Sequence, residues 1–218
     1  MANTLFVANW KSNQTREESA RFWEYLKNNI AQVDLSDKEL IIAPPFTLLS
    51  DAQAFVSTNN LPIHLSGQNV SPFPKGAYTG EINAAQLKEF AEYVIVGHSE
   101  RRKYFHEGES DLENKVREAT ENGLKVIQCI QDENSLVHSG VNIIAYEPPS
   151  AIGSGNPDDP EHVAQVFDKV LERNPKSALL YGGSVNPETI SRFKSIKTLS
   201  GFLIGGASLE AQSFLSLL

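Results

Sequence analysis

Eight short apolar runs recur along this chain with helix-patterned stretches between them, and this alternation constrains the fold more than any other feature. The runs are Leu5 to Ala8, Glu39 to Pro44, Ile63 to Gln68, Tyr93 to Gly97, Leu124 to Ile130, Asn142 to Glu147, Ala178 to Gly182 and Gly201 to Gly205. Several are almost continuously apolar, as strands buried on both faces are, which reads as parallel sheet. The stretches between carry helix signals. Asp159-Pro160-Glu161 and Asn186-Pro187-Glu188 each place a capping side chain before a proline at the first helical position, with an acid in the first turn. Asn122-Gly123 supplies a left-handed stop for a helix that begins near Asp111. No Pro/Gly/Ser-rich linker, charge block or low-complexity segment divides the 218 residues. The pattern predicts one α/β domain over residues 1–218, a (β/α)8 barrel rather than an open doubly wound sheet.

One unit is short. Only residues 131–141 lie between the fifth and sixth runs, so the fifth helix has room for one or two turns at most. A thin outer ring at that point would leave the fifth and sixth strands less covered, and exposed apolar area costs about 25 cal/mol per Å².

A formal charge of −8 argues against nonspecific binding to nucleic acid or to an anionic membrane. No basic segment followed by a long apolar run is present, so a cytoplasmic enzyme is expected. The one cysteine, Cys129, cannot form an intrachain disulfide and lies within an apolar run, where a packing role is expected. The sequons at Asn13 and Asn69 then carry no weight.

In a parallel barrel the loops after the strands' carboxyl ends form the active face. Glu147 ends the sixth run and is followed by Pro148, Pro149 and a small-residue loop; a carboxylate there is costly unless it has a task, and it suits a general base beneath a lid. Asn9 and Lys11 follow the first run and His98 the fourth. Each alone has an ordinary structural reading. An acid, an imidazole, an amide and a cation together at strand ends form a candidate catalytic set. Glycines follow the last three runs: Gly153 and Gly155, Gly182-Gly183-Ser184, and Gly205-Gly206-Ala207-Ser208. Such loops let backbone approach an anion closely, and they stand where barrels commonly hold phosphate. No His/Asp/Glu cluster has metal-ligand spacing, and neither metal nor cofactor is expected.

The chain resembles the triosephosphate isomerase family over nearly its whole length. The resemblance is carried by Ala8-Asn9-Trp10-Lys11, Ala43-Pro44-Pro45-Phe46, Gln68-Asn69-Val70-Ser71 with Gly76 to Ile82, Val96 to Arg102, Ala145-Tyr146-Glu147-Pro148, Ala151 to Gly155, Tyr181 to Val185 and Gly205 to Leu209, in that order. It implies isomerisation of dihydroxyacetone phosphate and D-glyceraldehyde 3-phosphate, a reaction of glycolysis and gluconeogenesis. Carried across, Glu147 would be the base and His98 the neutral electrophile on the carbonyl and enediolate oxygens. Lys11 would offset negative charge, Asn9 would donate a hydrogen bond, and Glu100 would position Lys11. Gly153, Ser184, Gly205 and Gly206 would bind phosphate. The family is a standard example of a neutral imidazole electrophile, kept so by a helix N-terminus, here one that begins near Ser99.

The resemblance also implies a homodimer in which the long third loop, Val70 to Asn83, inserts into the partner subunit, with Thr79 and Glu81 in the matching motif and Thr79 reaching the partner's Asn9 and the partner's Lys11. Two other readings compete. An aldolase-type barrel would need a Schiff-base lysine or a metal, and Lys11 is the only strand-end lysine in a catalytic position. A noncatalytic or altered-specificity phosphate-binding barrel would not need Asn9, Lys11, His98 and Glu147 together. The chain departs from the family at the lid, where Pro148-Pro149-Ser150 replaces the usual Pro-Val-Trp and stiffens the hinge. It departs again after strand five, where Gln131-Asp132 stands in place of Gly-Glu.

Overall fold

The computed structural model describes residues 3–151 and 155–218. Eight strands, β1 (Thr4–Asn9), β2 (Lys38–Ala43), β3 (Ile63–Gly67), β4 (Tyr93–Val96), β5 (Lys125–Ile130), β6 (Ile143–Tyr146), β7 (Ala178–Tyr181) and β8 (Leu199–Ile204), pair in parallel and in chain order. β8 closes on β1, so the sheet is a complete barrel without edges. The predicted runs fall on these strands, with ends displaced by a few residues.

Period-two alternation divides the strand side chains between two cores. Leu5, Val7, Ile41, Ala43, Ile95, Ile127, Cys129, Ala145, Leu180 and Leu203 fill the barrel interior. Their neighbours, among them Phe6, Leu40, Val94, Val126, Ile144, Tyr146 and Phe202, pack outward against the helices. Both sets are buried, which is why the runs read as continuously apolar. At the amino-terminal mouth the Tyr93 hydroxyl donates to Glu39 and accepts from Lys125 Nζ at 2.9 Å, closing the interior with a polar layer.

Helices α1 (Arg16–Asn29), α2 (Phe46–Thr58), α3 (Ala84–Lys88), α4 (Ser99–Phe105), α5 (Glu109–Glu121), α6 (Pro160–Arg173) and α7 (Ala211–Leu215) surround the sheet. The α6 start is as predicted: Asp159 Oδ1 accepts from the Glu161 N–H at 2.8 Å, with Pro160 at the first position. α5 stops at Asn122, and Gly123 has φ 76°. Among the described residues no helix is long and apolar enough to cross a membrane.

Two expectations need correction. Asn186-Pro187-Glu188 does not open an α-helix. Asn186 does cap the Glu188 and Thr189 N–H groups, at 3.0 and 2.9 Å, but a single 3-10 turn, Ile190–Phe193, follows. The buried residues Ile190, Phe193 and Ile196 recur every three positions, the 3-10 period, and bury one face in that geometry. The fifth unit contains no helix at all over residues 131–142, yet β5 and β6 are not left bare. Val126, Ile144 and Tyr146 are 3%, 1% and 3% exposed. The covering loop is held by Gln128, which points outward from β5: its Nε2 donates to Leu136 O at 2.6 Å and its Oε1 accepts from the His138 N–H at 3.0 Å. One buried amide thus satisfies the backbone of a loop that makes no helical bonds of its own.

Candidate active site

Barrel closure brings the strand-end residues into one cleft of about 250 Å³, lined by Asn9, Lys11, His98, Glu147, Gly155 and the glycine loops after β7 and β8. Lys11 follows β1 with φ 52°, a left-handed conformation that a lysine adopts only when its surroundings impose it. The surroundings here are specific. The Lys11 N–H donates to Asn9 Oδ1 at 3.1 Å, and Gln68 Nε2 bridges the Lys11 and Ala43 carbonyls at 2.9 Å each. Asn9 spends its acceptor on this turn, and its amide NH2 is the end suited to donate to a ligand. Lys11 Nζ lies 2.6 Å from Glu100 Oε1, the pairing expected of that acid.

His98 is the N-cap of α4, and its Nδ1 accepts from the Glu100 N–H at 3.2 Å. A ring nitrogen that accepts a backbone N–H carries no proton, so a neutral ring carries its proton on Nε2. Nε2 lies 2.9 Å from Glu147 Oε1, and the Ser99 N–H donates to Glu147 Oε2 at 3.0 Å. Glu147 is only 2% exposed. Burial pushes its carboxyl up, but His98, the Ser99 N–H and Lys11 together outweigh burial and hold it below the usual carboxylate range. The Cys129 thiol beneath is pushed well up, by burial first and by the Glu147 carboxylate second, so it remains a packing group as expected.

The glycines fit their loops for different reasons. A Cβ on Gly182 would stand 3.0 Å from Glu147 Cγ, and one on Gly205 would stand 3.4 Å from Lys11 Cε. Each leaves room for a candidate catalytic side chain. Gly206 begins a 3-10 turn, Gly206–Ser208, rather than an α-helix, and the buried Ser208 hydroxyl turns back to the Ile204 and Gly205 carbonyls. Ser184 lines the cleft, with its hydroxyl 2.5 Å from Ala151 O. Gly153 lies outside the described residues. Thr79 and Glu81 are exposed on the β3–α3 connection and do not line this cleft.

The doubled proline has a local cause. The Ala151 N–H donates to Pro148 O at 2.9 Å, which puts Pro149 at the second position of a β-turn, where its fixed φ is favourable. Sequence reasoning did not single out Gln68 or the Ser99 N–H as parts of the site. Gln68 stood inside a recognised strand-end motif, and that was its only signal; the Ser99 contact left none, because it is made by backbone.

Similar proteins are known. A family model described as Triosephosphate isomerase matches residues 4–218. The chain is 35% identical to the triosephosphate isomerase of Endomicrobium trichonymphae, covering 100% of this chain and 98% of that protein. That alignment runs over 249 positions against 218 residues here, so it opens gaps in this chain. The triosephosphate isomerase of Aquifex aeolicus is 34% identical, with 96% of each chain covered. The crystal structure of triosephosphate isomerase from Bartonella henselae superposes with a TM-score of 0.83 at 32% identity, covering 99% of this chain and 97% of that one.

Proposed function

The chain belongs to the triosephosphate isomerase family, and from that premise we propose that Glu147, His98, Lys11 and Asn9 carry out its isomerisation of dihydroxyacetone phosphate and D-glyceraldehyde 3-phosphate. The observation that carries this reading is the acceptor role of His98 Nδ1, which leaves a neutral ring with its proton on Nε2, inside the cleft and next to the candidate base. Glu147 removes a proton from the carbon beside the substrate carbonyl. The Nε2–H group hydrogen-bonds the oxygen on which negative charge develops, and Lys11 and the Asn9 amide stabilise the same charge. The proton then returns to the neighbouring carbon.

Glu147 changes strength along this path. Against Ser99 and His98 it is a weak base held ionised, ready to accept a proton. Turning toward substrate releases both hydrogen bonds while burial persists, and burial raises its proton affinity. Ser184, Gly205 and Gly206, with Gly153, receive the phosphate group through backbone N–H donors in a cleft that water leaves on closure. Glu100 orients Lys11.

The whole chain, residues 1–218, is read as one barrel domain of a cytoplasmic homodimer. Exposed aromatic residues support the dimer. Tyr104 and Phe105 are 63% and 64% exposed, and Phe73 and Tyr78 stack at 4.4 Å at the exposed tip of the β3–α3 connection. A second cavity, lined by Phe46, Gln68, Glu100 and Phe105, shares Asn9, Lys11 and His98 with the first and suits the partner's loop carrying Thr79 and Glu81.

A coupled assay of triose phosphate isomerisation tests the catalytic reading. Glu147→Asp withdraws the carboxylate by one methylene and lowers kcat on the order of a hundredfold or more. Wild-type turnover that survives this change would remove Glu147 from the role. Sedimentation at working concentration tests the dimer, and a monomer would refute it.

A further inference from the structure

Gln14 stands three residues beyond Lys11 in the loop from β1 to α1, and its φ is 73°, in the left-handed region. Glycine takes that conformation without steric cost, and asparagine tolerates it better than longer side chains do. Glutamine offers reach instead. Its Nε2 donates to the Leu209 carbonyl at 2.7 Å, across 195 positions of sequence. Leu209 closes the 3-10 turn Gly206–Ser208: its N–H donates to Gly206 O at 3.2 Å, and the Ser208 N–H donates to Gly205 O at 2.8 Å. The Leu209 carbonyl therefore belongs to the same small unit of backbone as Gly205 and Gly206.

The two loops that Gln14 joins share little else. β1 and β8 pair as far as Ala8 and Ile204. Beyond that pair, among the described residues, Gln14 to Leu209 is the one hydrogen bond between residues 10–15 and residues 205–210. Helix capping does not explain Gln14, because Thr15 and Glu18 form the capping box of α1. Its own loop is anchored on both sides of it. Asn13 Nδ2 donates to Trp10 O at 2.8 Å, and the buried Trp10 ring meets Phe22 of α1 edge-on at 4.7 Å.

We propose that Gln14 is a positioning residue for phosphate binding: it holds the loop that carries Lys11 against the turn that carries Gly205 and Gly206, and so fixes the spacing between the ammonium and the backbone N–H donors. These groups stand close, since a Cβ on Gly205 would lie 3.8 Å from Lys11 Nζ. An anion received between a cation on one loop and N–H groups on another is held well only when both loops keep their relative place.

The inference rests on Lys11, Gly205 and Gly206 receiving the substrate phosphate, and the test separates the two. Full-length Gln14→Met, Gln14→Gly, Lys11→Met and the Gln14→Met/Lys11→Met double variant are compared with wild type. The readouts are kcat and KM for glyceraldehyde 3-phosphate, the Kd of inorganic phosphate from a titration followed by NMR chemical shifts, and the urea midpoint. Gln14→Met keeps the length and removes the donor; it is expected to raise KM and the phosphate Kd together by about three- to tenfold, with kcat within about twofold of wild type. Gln14→Gly does the same yet unfolds no earlier than wild type, because glycine suits the backbone. In the Lys11→Met background the Gln14→Met change adds little to the phosphate Kd, since the spacing it guards has lost one side. Gln14 variants with wild-type KM and phosphate Kd, or losses that multiply in full in the double variant, overturn the proposal. A Lys11→Met protein that binds phosphate as wild type does sinks the phosphate reading and this inference together; weakened binding in Lys11→Met beside unaltered Gln14 variants sinks this inference alone.

Discussion

His98 Nε2 and Glu147 Oε1 stand 2.9 Å apart, a hydrogen bond between two nearly fully buried side chains at the ends of β4 and β6. The two candidate catalytic side chains therefore hold each other, and a ligand that bonds to either must part them. The bond has a second effect, since it stabilises the ionised form of Glu147 while no substrate is present.

This bond gives the protein a pH signature. The folded carboxyl of Glu147 lies below its ordinary value of 4.5, so its contribution to stability is fully present above that value and is lost as pH falls through the lower folded value. The melting-temperature difference between wild type and Glu147→Gln is expected to stay constant from neutral pH down to about 5 and then to change against wild type. A difference that moves in favour of wild type on acidification would contradict the lowered carboxyl.

Gly182→Ala tests how tightly Glu147 is held. The added Cβ would meet Glu147 Cγ at 3.0 Å and the Tyr146 carbonyl at 3.3 Å, while no left-handed backbone is involved. Turnover is expected to fall by about ten- to a hundredfold with the fold intact. Unchanged kcat would show that Glu147 does not need the space.

Lys11→Gly separates strain from function. At φ 52° lysine carries a backbone cost of order 1 kcal/mol or more that glycine does not, and the half-exposed Lys11–Glu100 pair contributes little in return. Chemical denaturation should find the variant as stable as wild type or more so, with isomerase activity nearly abolished. A clear loss of stability would argue against stored strain at this position.

Gly201→Ala addresses barrel closure. Gly201 sits at φ 154° in β8, opposite the register shift at Leu179/Leu180, and a Cβ there would lie 2.0 Å from Leu5 O on β1. The backbone cannot yield without opening the β1–β8 seam, so a loss of about 2–4 kcal/mol is expected in urea unfolding. A midpoint equal to wild type would mean that the seam adapts.

The eight strands were legible because burial on both faces writes itself as apolar runs, and Asp159-Pro160 marked α6 because capping is a local interaction. Asn186-Pro187 carried the same local signal and misled. The cap formed, but the three-residue spacing of Ile190, Phe193 and Ile196 and the space they fill decided against an α-helix. The short fifth unit announced a missing helix, yet nothing in its spacing said that Gln128 would anchor the replacement loop. A buried network in which Glu107 pairs with Arg101 at 2.5 Å and with Lys115, itself bonded to Asn69, likewise joins residues that no sequence period relates.

The sequence by itself determined the barrel, through the alternation of strand and helix patterns, and determined which residues stand at strand ends, where closure exposes them. Tertiary structure alone decided that Glu147 rests on His98 and the Ser99 N–H, that Lys11 is strained, and that Gln14 reaches Leu209. The reason is one of range. Periodicity and capping act over a few residues, whereas the contact between Ser99 and Glu147 spans 48 positions and exists only once β4, β5 and β6 lie side by side.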